Sequence, residues 1–98
     1  MKISISSVKF KADKSLEDFI QEKITKLATN YDNLISGEVI LRLDNSENQE
    51  NKIAEIRLNI PGNDLFAKKQ CKTFEEATDS ALDAIKKQLL KHKDKIHP

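Results

Sequence analysis

The 98-residue chain has little sulfur and few aromatic side chains: one cysteine, one methionine, no tryptophan, and 5% aromatic residues. The single cysteine, Cys71, excludes a disulfide within the chain and a zinc site built from several thiolates. A lone cysteine at the end of a predicted strand is most often a small core residue. With so few large side chains, we expect one domain with a thin aliphatic core, such as helices on one sheet.

Long apolar segments are also missing. No apolar run approaches the roughly 20 residues that span a bilayer. The N-terminal residues MKISISS lack the apolar core of a signal peptide. The sequence therefore predicts a cytoplasmic protein with no membrane partner.

Residues that could carry catalysis are few and lack the spacing of a catalytic or metal site. Both histidines, His92 and His97, lie in the last thirteen residues, and the acids are scattered over predicted polar faces. Pro61-Gly62-Asn63 lacks the glycines and the following helix of a phosphate-binding loop. We therefore predict that the protein is not an enzyme and binds no metal, cofactor or small-molecule substrate.

Hydrophobic periodicity predicts six elements in the order β-α-β-β-β-α. They are a strand at Lys2–Ser6, a helix capped by Asp13 or Ser15, strands at Glu38–Asp44, Lys52–Ile60 and Leu65–Lys72, and a helix at Phe74–Pro98. Ser36-Gly37 is predicted to turn the chain into the second strand. The polar segment Asn45–Asn51 is predicted to be a hairpin loop.

These elements favour an α+β fold in two layers, a four-stranded mixed sheet with both helices on one face. The first helix is a crossover, so the first strand is predicted to run parallel to its partner, whereas short connections make the other pairs antiparallel. In the fourth strand, either Leu65 and Ala67 or Phe66 can face the core. The open face of the sheet is predicted to carry polar and charged side chains: Ser4, Ser6, Arg42, Arg57, Asn59 and Lys68.

The last predicted helix has a strongly basic end. Residues 86–98 contain five lysines and one aspartate, a side-chain charge of +4, so residues 1–85 carry −3 although the net charge is only +1. The helix dipole favours acids early and bases late, but it acts only within the first and last turns. Five lysines within ten residues therefore point to an anionic partner, and the alternative is a solvated helix end.

An apolar stripe runs along this helix at steps of three and four residues: Phe74, Ala81, Leu82, Ile85, Leu89, His92 and Ile96. Measured from Ile85 at 100° per residue, Lys86 and Lys93 lie at about 90°, Lys87 at about 200°, and Lys91 and Lys95 at about 260°. The lysines thus flank the stripe on both sides. Without arginine forks or interleaved aromatics, they favour recognition of phosphate backbone and shape over recognition of bases. His92 faces either the core or the RNA.

Two segments carry a family resemblance. The run Gln88-Leu89-Leu90-Lys91-His92-Lys93-Asp94-Lys95-Ile96 closely resembles the end of the ribosome hibernation-promoting factors, also called sigma-54 modulation proteins. The segment Thr73–Asp79 is similar to the family's Asp-Met-Tyr-x-Ala-Ile-Asp, with Ala77 and Asp79 identical. The β-α-β-β-β-α order is also the family's order and resembles a double-stranded-RNA-binding fold.

The resemblance implies a specific function. Family members bind the small ribosomal subunit and its ribosomal RNA in the channel between head and body. There they overlap messenger and transfer RNA, inhibit translation in stationary phase or under stress, and in some cases promote pairing of inactive ribosomes. Carried over to this sequence, the implied RNA-binding residues are Lys86, Lys87, Lys91, His92, Lys93, Lys95, Lys23 and Lys26.

The resemblance further implies the short form of the family. Residues 1–98 are then a single ribosome-binding domain without the ribosome-dimerisation domain of longer members. Short members in some bacteria act with a separate ribosome modulation factor, which is a further expected partner.

Two other functions remain open from the sequence. The first is a protein-binding regulator, as the sigma-factor name implies, which would use the acidic part of the last helix or the open sheet face. The second is a free-standing double-stranded-RNA binder. It would bind any long duplex equally well, whereas a hibernation factor would prefer the assembled subunit.

Overall fold

The computed structural model has six elements and describes residues 2–31, 33–44 and 49–96, with side chains as far as Lys91. The elements are β1 (Lys2–Ser7), α1 (Lys14–Asn30), β2 (Ser36–Leu43), β3 (Lys52–Ile60), β4 (Asn63–Cys71) and α2 (Phe74–Ile96). The predicted order and fold class are confirmed. The predicted hairpin loop at Asn45–Asn51 falls mainly on residues 45–48, which lie outside the described residues, as do His97 and Pro98.

The four strands form one mixed sheet in the order β1-β2-β3-β4. β1 runs parallel to β2, while β3 is antiparallel to both β2 and β4. This pattern follows from the connections. The crossover through α1 returns the chain to the same end of the sheet, so β2 runs in the same direction as β1, whereas the short links after β2 and β3 reverse the chain direction. β1 and β4 are consequently the edge strands, and β4 is followed directly by α2.

Both helices begin at side-chain caps. Oδ1 of Asp13 accepts a hydrogen bond from the backbone N–H of Leu16 at 2.8 Å, so Asp13 is the cap of α1 and Ser15 is not. Oγ1 of Thr73 accepts one from the N–H of Glu76 at 3.1 Å. Each cap satisfies a donor that the first turn leaves without a helical partner, which fixes where the helix starts.

A single aliphatic core fills the space between the sheet and the two helices. From the helices it takes Ile20, Ile24, Leu27, Phe74, Ala77, Ala81, Leu82, Ile85 and Leu89. From the strands it takes Val39, Leu41, Ala54, Ile56, Leu58, Ile60, Leu65 and Ala67. Both helices therefore pack on the same face of the sheet, as the pattern of apolar residues predicts.

The register of β4 decides which of its side chains enter the core. Leu65 lies opposite Leu58 and Ala67 opposite Ile56, so both extend the inner face of β3. Leu65 and Ala67 are buried, whereas Phe66 is 43% exposed on the open face. Successive strand residues point to opposite faces. Lys68, two residues after Phe66 in β4, therefore also lies on the open face.

The chain differs from prediction at the start of β2. Ser36 and Gly37 do not form a turn; they belong to the strand, where Gly37 lies beside Ile3 and Leu58. A Cβ on Gly37 would lie 2.9 Å from Cδ2 of Leu58. The glycine is thus explained by close packing within the sheet, because Leu58 occupies the space that a side chain at position 37 would need.

One polar group lies inside the core. The side chain of Thr78 on α2 is 0% exposed, and its Oγ1 has no hydrogen-bond partner in the part of the chain that the structure describes. A buried hydroxyl without a partner loses its hydrogen bonds to water and gains none within the protein, so its burial lowers the free energy of unfolding.

We expect Thr78→Val to raise the free energy of unfolding by about 1 kcal/mol, because valine has the same shape and removes the unpaired hydroxyl. Urea denaturation followed by circular dichroism measures the change. The exposed Thr25→Val on α1 is the control and is expected to shift stability by only a few tenths of a kcal/mol. A loss of stability in the Thr78 variant would show that the hydroxyl has a partner.

Candidate nucleic-acid interface

The lysines of α2 project away from its buried stripe. Ile85 and Leu89 are buried, whereas Lys86, Lys87 and Lys91 are exposed. Among the described residues, none of these three lysines has a carboxylate oxygen within 4.0 Å. Their ammonium groups are therefore open to an external anion. For these three lysines, the angular positions predicted from the sequence agree with this arrangement.

The first cationic surface is a groove between the two helices, with a cavity volume of about 260 Å³. Leu27 and Leu82 form its apolar floor, and Asp79 and Asp83 contribute acidic groups. Its cationic rim joins the two helices and consists of Lys23, Lys26 and Lys86. The structure thus brings together the predicted lysines of α1 with one predicted lysine of α2, although they lie about sixty residues apart in sequence.

Within this groove, Lys23 is committed to contacts inside the protein. Its Nζ lies 3.6 Å from Oδ1 of Asp79 on α2 and 5.4 Å from the centroid of the Phe19 ring. Its side chain is 40% exposed, so the ion pair is partly screened by solvent. Lys23 therefore links the two helices, and its charge is less available to a ligand than that of Lys86.

Lys26 is paired more loosely. Its Nζ lies 3.6 Å from Oε1 of Glu22, one helical turn earlier. The side chains of Lys26 and Glu22 are 72% and 69% exposed. Pairs of this kind contribute only about 0.3–0.5 kcal/mol, so a phosphate can replace the glutamate at little cost.

The second cationic surface is a groove on the opposite flank of α2, next to the edge strand β4. It is lined by Lys69 from β4 and by Lys87 and Lys91 from α2, with Ser80 and Asp83 nearby. Lys69 is missing from the predicted site residues. The adjacent Lys68-Lys69 pair was the available signal, because two neighbouring strand residues must point to opposite faces, which places one of them beside the helices.

Three predicted site residues cannot be placed. The backbone of α2 continues helically through Ile96, but the side chains of His92, Lys93 and Lys95 lie outside the described residues. Their assignment as RNA-binding residues remains a prediction, as does the orientation of His92.

Within the described ranges, no group of three or more His, Cys, Asp or Glu side chains could hold a metal ion. No helix among the described residues is long and apolar enough to cross a membrane. Lys86, Lys87 and Lys91 have no carboxylate partner among the described residues, which suits an extended polyanion such as the phosphate backbone of a nucleic acid.

Comparison with known families matches residues 3–97 to the model of the sigma 54 modulation protein / S30EA ribosomal protein family. The chain belongs to this family. The family resemblance predicted from Gln88–Ile96 and Thr73–Asp79 is thereby confirmed over nearly the whole chain.

Several named relatives of the chain are ribosome hibernation promoting factors. A ribosome hibernation promoting factor of Azotobacter vinelandii is 30% identical over 95 residues, covering 97% of this chain and 85% of the relative. The factors of Pseudomonas putida and Escherichia coli K12 are 26% and 24% identical, covering 89% and 97% of those proteins. The chain therefore spans most of each relative.

Solved structures agree with the fold. A ribosomal subunit interface protein from Coxiella burnetii superposes with a TM-score of 0.84 at 18% identity, covering 96% of this chain and 99% of that one. The N-terminal domain of Protein Y from Thermus thermophilus gives 0.76 at 21% identity, covering 90% and 94%. At these identities the likeness establishes the fold alone.

Proposed function

We propose that the protein is a ribosome hibernation factor that binds the small ribosomal subunit in the channel for messenger and transfer RNA and inhibits translation. The observation that carries the proposal is the set of three unpaired lysines, Lys86, Lys87 and Lys91, projecting from a helix whose other face is fixed in the core. Membership of the family and the names of its relatives support the same function.

The chemistry of the site favours ribosomal RNA as the ligand. Lysine ammonium groups contact phosphates as point charges, and the described part of the site has no arginine fork with which to select a base. Binding then depends on the shape of the folded RNA and on counterion release, so affinity falls steeply with salt. Lys26 and, after release from Asp79, Lys23 would extend the contact from α2 to α1.

Inhibition by this protein needs no chemical step. The core holds both helices against the sheet, so the cationic rims are presented in a fixed geometry and little order is lost on docking. A bound protein plate excludes messenger and transfer RNA by occupying their space. The proposal places the protein in the cytoplasm, acting in stationary phase or stress, with residues 1–98 as one ribosome-binding domain and a separate ribosome modulation factor as a further partner.

The main test is co-sedimentation with isolated small subunits across a series of salt concentrations. Lys87→Glu/Lys91→Glu should weaken binding by about a hundredfold at 0.1 M salt and lower the slope of log affinity against log salt by about 2, because two phosphate contacts are lost. Excess free RNA duplex should compete poorly if the assembled subunit is the true ligand.

The charge-matched control for this test is Lys2→Glu/Lys68→Glu. Both lysines are exposed strand residues whose alternation with Ile3 and Ala67 places them on the open sheet face. Equal weakening by both double variants would mean that net charge alone matters. Binding that is unchanged and insensitive to salt in the α2 variant would contradict the proposal.

A second prediction concerns the acid inside the helix groove. Asp79→Asn should tighten binding by a factor of roughly two to five, because it removes a repelling charge within a Debye length of the RNA and releases Lys23. The control is Glu75→Gln, an exposed acid in the first turn of α2 that lines neither cationic groove. Fluorescence titration of labelled protein with small subunits measures both, and weaker binding by the Asp79 variant would show that Asp79 holds Lys23 in its binding position.

A further inference from the structure

The two cationic grooves lie on opposite flanks of α2. Lys86 lines the groove toward α1, while Lys87 and Lys91 line the groove toward β4. Asp83 borders both grooves, which places it on the crest between them. With side chains, a helix is about 10–12 Å across, so phosphates held in the two grooves would be separated by about that distance.

The crest between the grooves disfavours a single RNA strand that follows both of them. To reach the second groove, an RNA strand lying in the first groove would have to cross the exposed surface of α2 and pass the carboxylate of Asp83, which repels phosphate. Two separate stretches of backbone, one on each flank, meet no such obstacle. The arrangement therefore fits a ridge inserted between two strands better than a surface laid along one.

Lys69 is the residue that makes the second groove cationic on both walls. It lies opposite Ala54, which in turn lies opposite Leu41, and both of these side chains are fully buried under the helices. Lys69 is thus on the helix-covered face, but its position on the edge strand lets it emerge beside α2. No carboxylate among the described residues lies within 4.0 Å of its ammonium group.

Gln88, which lines this groove, links α2 to the edge strand β4 through two hydrogen bonds. Its Nε2 donates to the backbone carbonyl of Phe66 at 2.7 Å, and its Oε1 accepts from the N–H of Phe66 at 3.3 Å. The side-chain amide therefore occupies the hydrogen-bonding positions that a neighbouring strand would use at this point of β4. An added β-strand is disfavoured as the occupant, and an anion contacting the three lysines is favoured.

We propose that α2 acts as a ridge clamped between two strands of RNA, with Lys69, Lys87 and Lys91 binding the phosphate backbone of the second strand. This inference rests on the proposed function and names Lys69 of β4 as part of the same interface. The first strand is held by Lys86 with the lysines of α1. The β4 edge is then a second RNA-contacting wall.

Neighbouring lysines of β4 provide a matched experiment. Lys69→Gln and Lys68→Gln each remove one positive charge from an exposed position, but Lys68 faces the open side of the sheet. In titrations with isolated small subunits at 0.1 M salt, Lys69→Gln should weaken binding about eightfold and lower the salt slope by about 0.9, since one phosphate contact is lost. Lys68→Gln should stay within twofold of the unaltered protein.

Lys86→Gln separates failure of this inference from failure of the proposed function. If Lys86→Gln weakens binding while Lys69→Gln does not differ from Lys68→Gln, the binding of RNA by Lys69 and the β4 edge is overturned and the hibernation function stands. If neither Lys86→Gln nor Lys69→Gln weakens binding, both proposals fall. Circular dichroism confirms that each variant is folded.

Directed cleavage tests whether two strands are involved. In a Cys71→Ser background, an iron chelate attached at Asn30→Cys probes the first groove and one attached at Ser80→Cys probes the second. With each protein bound to small subunits, we expect cuts in two different segments of ribosomal RNA. Overlapping cuts from the two positions would show a single strand and would overturn the ridge.

Discussion

The packing of α2 onto β3 and β4 is the contact on which the rest of the molecule depends. Ile85 and Leu89 bury the inner side of the helix against the sheet. At about 1.5–3 kcal/mol for each fully buried aliphatic side chain, this face sets the rotation of α2 about its axis. The directions of Lys86, Lys87 and Lys91 follow from that rotation. The apolar half of the helix thus determines where its charges act.

The same packing explains how a nearly neutral protein can have a cationic face. Several of the described acids are engaged in ion pairs: Asp79 contacts Lys23, Glu22 contacts Lys26, and Glu55 bonds Arg42 on the open sheet face with Nε and Oε2 2.6 Å apart. Charge cancels within these pairs, whereas Lys86, Lys87 and Lys91 have no carboxylate within 4.0 Å among the described residues. Local pairing, more than composition, therefore defines the surface.

Much of the fold was predictable because it depends on local periodicity. The bounds of β3 agree with prediction, since buried and more exposed residues alternate without a break from Ala54 to Ile60. The inner face of β4 was ambiguous because Leu65, Phe66 and Ala67 are consecutive and all apolar; the register with Leu58 and Ile56 resolves it. Gly37 was wrongly predicted to form a turn, because the reason for a glycine at this position is the side chain of Leu58 on the neighbouring strand β3. Lys69 and the pairing of Lys23 with Asp79 were missed for a similar reason, as each depends on elements that meet only after folding.

The order of charges along α2 has a kinetic consequence. Acids occupy its first turns and lysines its later ones, while the chain outside residues 86–98 carries −3. The molecule therefore has a charge dipole roughly along its longest helix, and the field of a polyanion turns it basic end first before contact. A net charge of only +1 leaves little attraction in any other orientation. The protein can thus approach a large anionic particle with its basic end already facing that particle.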